Sequence, residues 1–389
     1  MSRPTARIVV QVMVVLAGVF LLFCAWHCDV HWFERHVQEF RCMRDARGLR
    51  RAMFWRCLAG VLAALLILVV RPFLGRWAGK YSGRQLLVGT PRIVLPAILA
   101  LGVCELVLRW KMPDVREERP DLPAVLHSNT VTWLPAPSRA LTWFIDEHQV
   151  TYNVNAHGFR ARTLTDEPDF AAPAILIAGE SVVFGIGIDY EDTFPVVLAK
   201  RLGVQVINVG VHGYGGDQTY QHLIEVLPQF AKPIAVVMMV LPEMVERNVK
   251  EDRTSLRFRN DGALELVPAT PQWVRDMRLR RLWQAALPNS DEAVNLERAF
   301  LLGTVETANA RGAAALFLVT NYHTPCLPVN GQPPWLYQAL FEGGALQHVD
   351  VAIDPTWKLR GDPHPNARAH LKIAEALEQT LRAAKLPGL

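Results

Sequence analysis

The stretch "AILIAGESVVFG" (residues 174–185) runs from five apolar residues into a glycine, a glutamate and a serine. A short apolar run that ends at a glycine is typical of a buried strand followed by a sharp turn. The serine in this turn, Ser181, has two interpretations. It is either a nucleophile at the end of a core strand or the cap of the next helix, because serine is a preferred helix cap.

The sequence after this stretch repeats the same alternation of strand and helix. Further apolar runs lie at 204–209, 234–240, 314–320 and 349–353, with helical patterns at 191–202, 217–230, 292–311 and 366–385. Such alternation indicates a parallel sheet covered by helices on both faces. Residues 173–389 are therefore predicted to form an α/β fold, a three-layer flavodoxin-like sandwich with a five-stranded parallel sheet.

Two segments depart from this alternation. Five prolines are spread over residues 113–138, and two short strand patterns follow at 141–161, so residues 113–172 are predicted to form a linker with short strands. Residues 246–290 carry many charges, and Asn260-Asp261-Gly262 stands between two alternating runs. That tripeptide is a hairpin signal, so we predict an insertion near one edge of the sheet.

Residues 1–112 are predicted to form a membrane region. Three apolar runs, Ile8–Trp26, Cys57–Val70 and Ile93–Leu108, approach the ~20 residues that a membrane span needs, and only Glu105 interrupts the third. We expect about three transmembrane helices here. The alternative for the first run is a cleaved signal peptide, but no small-x-small cleavage site precedes Trp26-His27-Cys28.

Charge is divided unevenly between the two parts of the chain. Residues 1–112 hold 16 Lys and Arg against 5 Asp and Glu, whereas the rest of the chain is net negative. The basic residues therefore accompany the apolar runs, which predicts contacts with lipid headgroups and no nucleic-acid partner. Seven basic residues would fall on each side of the membrane, so the positive-inside rule does not orient the chain.

The cysteines and glycine-rich stretches predict neither a metal nor a cofactor. The chain has six cysteines but no C-x-x-C pair and no Cys/His ligand cluster. It lacks a P-loop, and its glycine-rich stretch "GVHGYGG" is not a dinucleotide fingerprint. Position 183 is valine, so the G-x-S-x-G elbow of the α/β-hydrolases is also missing.

Reactive residue types follow three of the predicted strands. Ser181 follows the first strand, a glycine-rich segment containing Gly213 follows the second, and Asp362 and His364 precede the last helix. Ligands of open parallel sheets bind beyond the carboxyl ends of the strands, so these residues are expected to converge. A serine, backbone donors, a histidine and an aspartate are the groups that acyl transfer needs.

The segments that contain these residues resemble the blocks of the SGNH (GDSL-type) hydrolases over roughly residues 150–385. "AGESVVFGIG" resembles the first block with glutamate in place of aspartate, "VINVGVHGYGGDQ" the second, and "GDPHPNARAHLKIAEAL" the last. "YNVNAHGFRA" resembles a segment upstream of the first block in membrane-anchored members. The resemblance implies Ser181 as nucleophile, His364 as base, Asp362 as its partner and Gly213 as an oxyanion donor.

The sequence departs from the family pattern in two places. Asp362 and His364 are spaced D-x-H, where D-x-x-H is usual, and Pro242 stands near the place of the asparagine that supplies an oxyanion donor. Asn248 is the candidate substitute for that asparagine. His370, one turn into the last helix, is the rival base. Arg160 is a candidate either to bind an acidic substrate or to form a structural ion pair.

The resemblance implies a membrane-anchored serine esterase. Its substrate would be an acyl ester of a carbohydrate or a lipid, and its catalytic domain would face outward from a bacterial inner membrane. Two alternatives stay open on the sequence: an O-acyltransferase that modifies an envelope glycan or lipid with the same triad, and a non-catalytic scaffold or binding protein that keeps the fold.

Overall fold

A computed structural model describes residues 3–27, 46–80, 98–99, 101–110, 125–145, 148–280, 290–321 and 334–388. The chain divides into two compact units, Met1–Val115 with Trp273–Pro288, and Arg116–Gln272 with Asn289–Leu389. The start of the predicted linker and residues 93–97 and 100 of the third apolar run lie outside the described residues.

The first unit contains helices α1 (Arg3–His27), α2 (Ala46–Leu65) and α3 (Arg71–Ala78), with a π-helical turn at Leu66–Val70 between the last two. The stretches Arg7–His27 and Met53–Trp77, with mean hydropathies of 2.8 and 2.5, are long and apolar enough to cross a membrane. Of the third predicted span, the structure describes residues 98–99 and a helix at 101–110. Two of the three predicted spans are thus helices of sufficient length.

The second unit is built on the predicted five-stranded parallel sheet. Its strands are β6 (Pro173–Ala178), β7 (Gln205–Asn208), β8 (Lys232–Val240), β11 (Ala314–Asn321) and β12 (His348–Ala352). Their order is β12-β11-β8-β6-β7, and every neighbouring pair is parallel. The first strand of the sheet therefore lies between the second and third, which is the flavodoxin-like order with its switch point beside β6.

Helices cover both faces of this sheet, as predicted. The helices of this unit are α4 (Ser181–Phe184), α5 (Phe194–Leu202), α6 (Gly216–Val226), α7 (Pro242–Arg247), α9 (Ser290–Ala310), α10 (Pro334–Phe341) and α11 (Ala367–Ala383). The short helix α8 (Gln272–Arg275) falls mostly in the part of the chain assigned to the first unit. Successive side chains of a strand point to opposite faces. Accordingly, Ile175 and Ile177 of β6 pack with α5 and α11, whereas Leu176 packs with α6. This alternation gives the three layers of the sandwich.

Smaller antiparallel elements surround the sheet. They are the hairpin of β1 (Val125–Ser128) and β2 (Thr132–Pro135), the three-stranded sheet of β3 (Arg139–Ile145), β4 (His148–Val154) and β5 (Arg160–Ala161), and the hairpin of β9 (Ser255–Phe258) and β10 (Leu264–Val267). The last hairpin confirms the turn predicted at Asn260-Asp261-Gly262, where Gly262 has a φ of +83°. The region 141–161 contributes three strands where two were predicted.

Arg160 of β5 connects the three-stranded sheet to the turn after Ser181. The side chain is buried, and its guanidinium donates to the carbonyl oxygens of Phe184 at 2.5 Å, Gly185 at 2.6 Å and Ile188 at 2.5 Å. Burial lowers the pKa of Arg160 to about 10. Of the two roles considered for this arginine, the structure shows a structural one, although its partners are carbonyl oxygens and not a carboxylate.

We expect the substitution Arg160→Met to lower the free energy of unfolding by about 3 kcal/mol or more. The buried carbonyls of Phe184 and Ile188 would lose their donor, whereas that of Gly185 would keep the backbone N–H of Ile188. Each unsatisfied group costs about 1–3 kcal/mol. Denaturant unfolding of the full chain in detergent measures the change. The control is Arg162→Met, two residues away, which removes an exposed ion pair with Glu191 and should cost less than about 1 kcal/mol. Equal losses in the two variants would contradict the role given to Arg160.

Candidate active site

Ser181 lies at the centre of the carboxyl edge of the sheet. It is the first residue of α4 and is 2% exposed, and α4 follows β6 directly at the switch point of the strand order. Asp362 and His364 lie in the segment between β12 and α11, which the Lys358–Pro365 bridge closes. The topology thus brings the first and last predicted blocks to the same edge.

A chain of hydrogen bonds joins these three side chains. His364 Nε2 lies 2.7 Å from Ser181 Oγ, and His364 Nδ1 lies 2.6 Å from Asp362 Oδ1. The same Asp362 oxygen accepts the backbone N–H of His364 at 2.8 Å. This local turn explains how D-x-H spacing places the carboxylate on the imidazole. The hydrogen bond from His364 lowers the pKa of Asp362, so the carboxylate is charged at neutral pH.

Glu180, and not Ser181, caps the short helix. Its Oε1 accepts the backbone N–H of Val182 at 3.2 Å, and its Oε2 accepts the Ser181 hydroxyl at 2.5 Å. Burial raises the pKa of this carboxyl group. Arg247, whose Nη1 lies 3.6 Å from Oε2, together with His364 and the serine hydroxyl outweighs burial and brings the pKa to about 2. A buried carboxylate therefore adjoins the serine.

The Ser181 hydroxyl thus has one proton and two acceptors. When His364 donates its Nδ1–H to Asp362, its Nε2 is an acceptor that faces Ser181 Oγ. Glu180 Oε2 is the competing acceptor for the same proton. Activation of the serine as a nucleophile requires that its proton pass to His364, so the Glu180 bond must break in that step.

The glycine loop (residues 209–216) contains the predicted oxyanion donor Gly213, which has a φ of +79°. Only glycine adopts this backbone conformation without strain. The loop adjoins the serine turn, because Val211 donates its N–H to the Gly179 carbonyl at 3.0 Å. Within the described residues, the backbone N–H groups of Ser181 and Gly213 donate no hydrogen bond. Both are therefore available to a ligand.

Asn248, the second predicted oxyanion donor, is bonded elsewhere. It is fully buried, and its Nδ2 donates to Glu297 Oε2 at 2.7 Å and to the Ala293 carbonyl at 3.4 Å. Its Oδ1 accepts the backbone N–H of Asp217 at 3.0 Å. Both amide hydrogens are thus directed to α9, and the expectation for Asn248 is corrected to a structural role.

The rival base His370 is also structural. It is 1% exposed, and its Nδ1 accepts the backbone N–H of Phe194 at 3.2 Å, which caps α5. Burial lowers the pKa of His370 to about 3, so it is neutral at the start of that helix.

In the part of the chain that the structure describes, no group of three or more His, Cys, Asp or Glu side chains fits a metal ion.

The residues that sequence reasoning missed are charged. The sequence marks Glu180 only as a departure from the usual aspartate and predicts no role for Arg247. A signal for Arg247 exists in "VLPEMVERN", where several charged residues directly follow a buried strand that leads to the site edge. No comparable signal marks Glu180 as a partner of the serine hydroxyl, because adjacency in sequence does not fix side-chain direction.

No known protein-family model and no curated protein sequence matches the chain. Similar solved structures include a carbohydrate acetylesterase from Sinorhizobium meliloti, with 14% identity and a TM-score of 0.37 over 55% of this chain and 99% of that one. A psychrotrophic esterase from Pseudoalteromonas sp. has 17% identity and a TM-score of 0.34, covering 55% and 98%. A lipolytic G-D-S-L family protein from Veillonella parvula DSM 2008 has 12% identity and a TM-score of 0.35, and the match covers 54% of this chain and 97% of that one. At such identities, none of these likenesses assigns an activity to this chain.

Two buried carboxyl groups beside Asn248 make the fold sensitive to pH. Burial raises the pKa of Asp217 to about 6 and that of Glu297 to about 7. A carboxyl group with a raised pKa in the folded state keeps its proton while the unfolded chain releases it. The contribution of these two groups to stability is therefore largest below their unfolded pKa values, that of Glu297 being 4.5, falls as pH rises towards 7, and is constant above that.

The substitution Glu297→Gln should make the protein more stable than wild type at pH 8 and equally stable at pH 4. Glutamine keeps an oxygen for Asn248 but has no charge to bury. Melting temperatures measured from pH 4 to pH 8 test this expectation. Glu306→Gln, an exposed change on the same helix, is the control and should follow wild type. A Glu297→Gln profile parallel to wild type would contradict the assignment.

Proposed function

We propose that this protein is a serine hydrolase of carboxylic acyl esters, similar in mechanism to the SGNH hydrolases that its motifs resemble. The observation that carries the proposal is the continuous hydrogen-bond chain from Asp362 through His364 to Ser181, with distances of 2.6 and 2.7 Å. A nucleophile bonded to a base, which an acid orients in turn, is the arrangement that activates a serine.

The proposed reaction begins when Ser181 Oγ attacks the ester carbonyl and His364 Nε2 takes the hydroxyl proton. Asp362 holds the imidazole in the tautomer with hydrogen on Nδ1 and stabilises the imidazolium that forms. The N–H groups of Ser181 and Gly213 stabilise the oxyanion. His364 then protonates the leaving alcohol, and water, activated by the same histidine, releases the acid and regenerates the serine.

We also propose that the protein is attached to a bacterial inner membrane through Arg7–His27, Met53–Trp77 and a third span in the apolar run at 93–108, with the N-terminus inside and the catalytic unit on the outer side. The length and composition of these helices support the attachment, and the resemblance to membrane-anchored family members supports the orientation. A periplasm-active reporter fused after Leu389 should therefore be active. A reporter that is active only in the cytoplasm would overturn the orientation.

The substitution Ser181→Ala should reduce hydrolysis of p-nitrophenyl acetate by a factor on the order of 10⁴ or more, because no other nucleophile among the described residues is bonded to His364. It should also abolish covalent labelling by a fluorophosphonate probe. Ser255→Ala, at a second buried serine, is the control and should leave both readouts unchanged. Equal turnover in Ser181→Ala and wild type would refute the hydrolase, and failure of the wild type to label would favour a scaffold.

Asp362→Asn should lower kcat by a factor of about 10⁴ while leaving KM nearly unchanged. An asparagine amide that donates to Nδ1 favours the tautomer whose Nε2 carries hydrogen, which cannot accept the serine proton. Steady-state kinetics on p-nitrophenyl acetate measure the effect. The control is Asp354→Asn, in the same segment before α11. Among the described residues, the exposed Asp354 carboxylate accepts hydrogen bonds only from the Thr356 N–H and hydroxyl, so this variant should retain the wild-type kcat. Comparable losses in both variants would assign the effect to the segment as a whole.

A further inference from the structure

Three consecutive carbonyl groups of the glycine loop are held by side chains from outside it. The bonds are Trp133 Nε1 to His212 O at 3.1 Å, Arg253 Nη1 to Gly213 O at 2.8 Å and Arg247 Nη1 to Tyr214 O at 3.1 Å. We call Trp133, Arg247 and Arg253 the carbonyl clamp. Carbonyls at a flexible glycine-rich turn would otherwise be free to reorient, so the clamp restricts the direction of each peptide plane.

The bond from Trp133 determines where the Gly213 N–H points. In a trans peptide the carbonyl of one residue and the N–H of the next point in opposite directions, and the described residues contain no cis peptide. The His212 carbonyl and the Gly213 N–H belong to the same peptide plane. Because the indole N–H holds this carbonyl on one side, the Gly213 N–H faces the other side, where no described group accepts it.

Trp133 is itself tightly constrained. It is 8% exposed, its carbonyl accepts the Tyr214 hydroxyl at 2.5 Å, and the Arg253 guanidinium lies 5.1 Å from its ring centre. A Cβ placed on Gly213 would lie 3.4 Å from the Trp133 ring, so the indole packs directly against the glycine. The ring and its N–H are therefore positioned by packing as well as by hydrogen bonds.

The backbone before Trp133 is strained. Thr132 has a φ of +69°, and the N–H of Trp133 donates to the Val131 carbonyl at 2.8 Å, which closes a γ-turn. A β-branched residue rarely adopts a positive φ, and such strain persists where the surroundings over-determine it. Here, Thr132 Oγ1 accepts the N–H of Thr254 at 2.8 Å, and Gln218 Nε2 donates to Val131 O at 2.5 Å.

We propose that Trp133 is a positioning residue of the oxyanion hole. Its indole N–H fixes the His212–Gly213 peptide so that the Gly213 N–H meets the oxyanion, and Arg253 holds both the ring of Trp133 and the next carbonyl. The hairpin β1–β2 and the insertion thereby complete a site whose reacting groups lie at the carboxyl edge of the central sheet. This inference rests on the proposed ester hydrolysis and concerns one donor of that reaction.

The test is Trp133→Phe in the full chain, which keeps an aromatic ring and removes the N–H donor. The substrates are p-nitrophenyl acetate and its thiono analogue, in which sulfur replaces the carbonyl oxygen. Sulfur is a weak hydrogen-bond acceptor, so an oxyanion hole accelerates the oxygen ester more than the thiono ester. We expect kcat for the oxygen ester to fall about tenfold, within the bound of about 10²–10³ for complete loss of a donor.

The preference for the oxygen ester over the thiono ester should shrink by a similar factor, with KM nearly unchanged. A general loss of folded protein lowers both rates in proportion and leaves the ratio as it was. The matched control is Trp143→Phe, at a half-buried tryptophan of β3 outside the clamp, which should retain the wild-type ratio. A wild-type ratio in folded Trp133→Phe overturns the proposal.

A second variant decides the case if Trp133→Phe does not fold. Arg253→Lys keeps the charge but removes the fork that reaches Gly213 O and lies over the indole, so the same ratio should shrink. A wild-type ratio in Arg253→Lys then overturns the proposal. Failure of the proposed ester hydrolysis can be told apart from failure of the role proposed for Trp133. In the former case Ser181→Ala would retain turnover, or the wild type would cleave neither ester.

Discussion

The hydrogen bond between His364 Nε2 and Ser181 Oγ joins residues 183 positions apart, and the site depends on it. It forms because all five strands run in the same direction, so the segments that follow them end at one edge of the sheet. β6 lies between β7 and β8, and this order opens space for Ser181 at the middle of that edge. Close packing fixes the turn, since a Cβ on Gly179 would lie 2.9 Å from the Cβ of Met239.

The electrostatic balance around the serine is as important as its position. Two carboxylates, Glu180 and Asp362, flank the pair formed by Ser181 and His364. A buried carboxylate is costly without a compensating charge, and Arg247 of α7 supplies one 3.6 Å from Glu180. The segment after β8, where the resemblance had led us to expect an amide donor, therefore contributes a cation. The same arginine also holds the Tyr214 carbonyl, so charge compensation and loop geometry depend on one side chain.

The sequence predicted the features that local patterns determine. The strands lie within two residues of the predicted apolar runs, and the blocks around Ser181 and His364 meet as their order along the chain implied. Asn248 could not be judged in this way, because its partner Glu297 is 49 residues away and the burial of both depends on how α7 packs with α9. The contact between Asp362 and His364 at D-x-H spacing does not follow from a local sequence pattern either. This contact depends on a turn in which Asp362 Oδ1 accepts hydrogen bonds from both the ring Nδ1–H and the backbone N–H of His364.

The segments that interrupt the α/β pattern contribute to the site as much as the strands do. Trp133 belongs to a region predicted as linker, and Arg253 to a region predicted as insertion, yet both hold carbonyls of the glycine loop. A serine, a histidine and an aspartate are specified by short motifs, whereas the direction of a backbone N–H is set by contacts from distant parts of the chain. Residues 173–389 alone would leave the His212 carbonyl without its indole donor. The functional unit of the proposed hydrolase therefore begins upstream of the sheet, at the hairpin that contains Trp133.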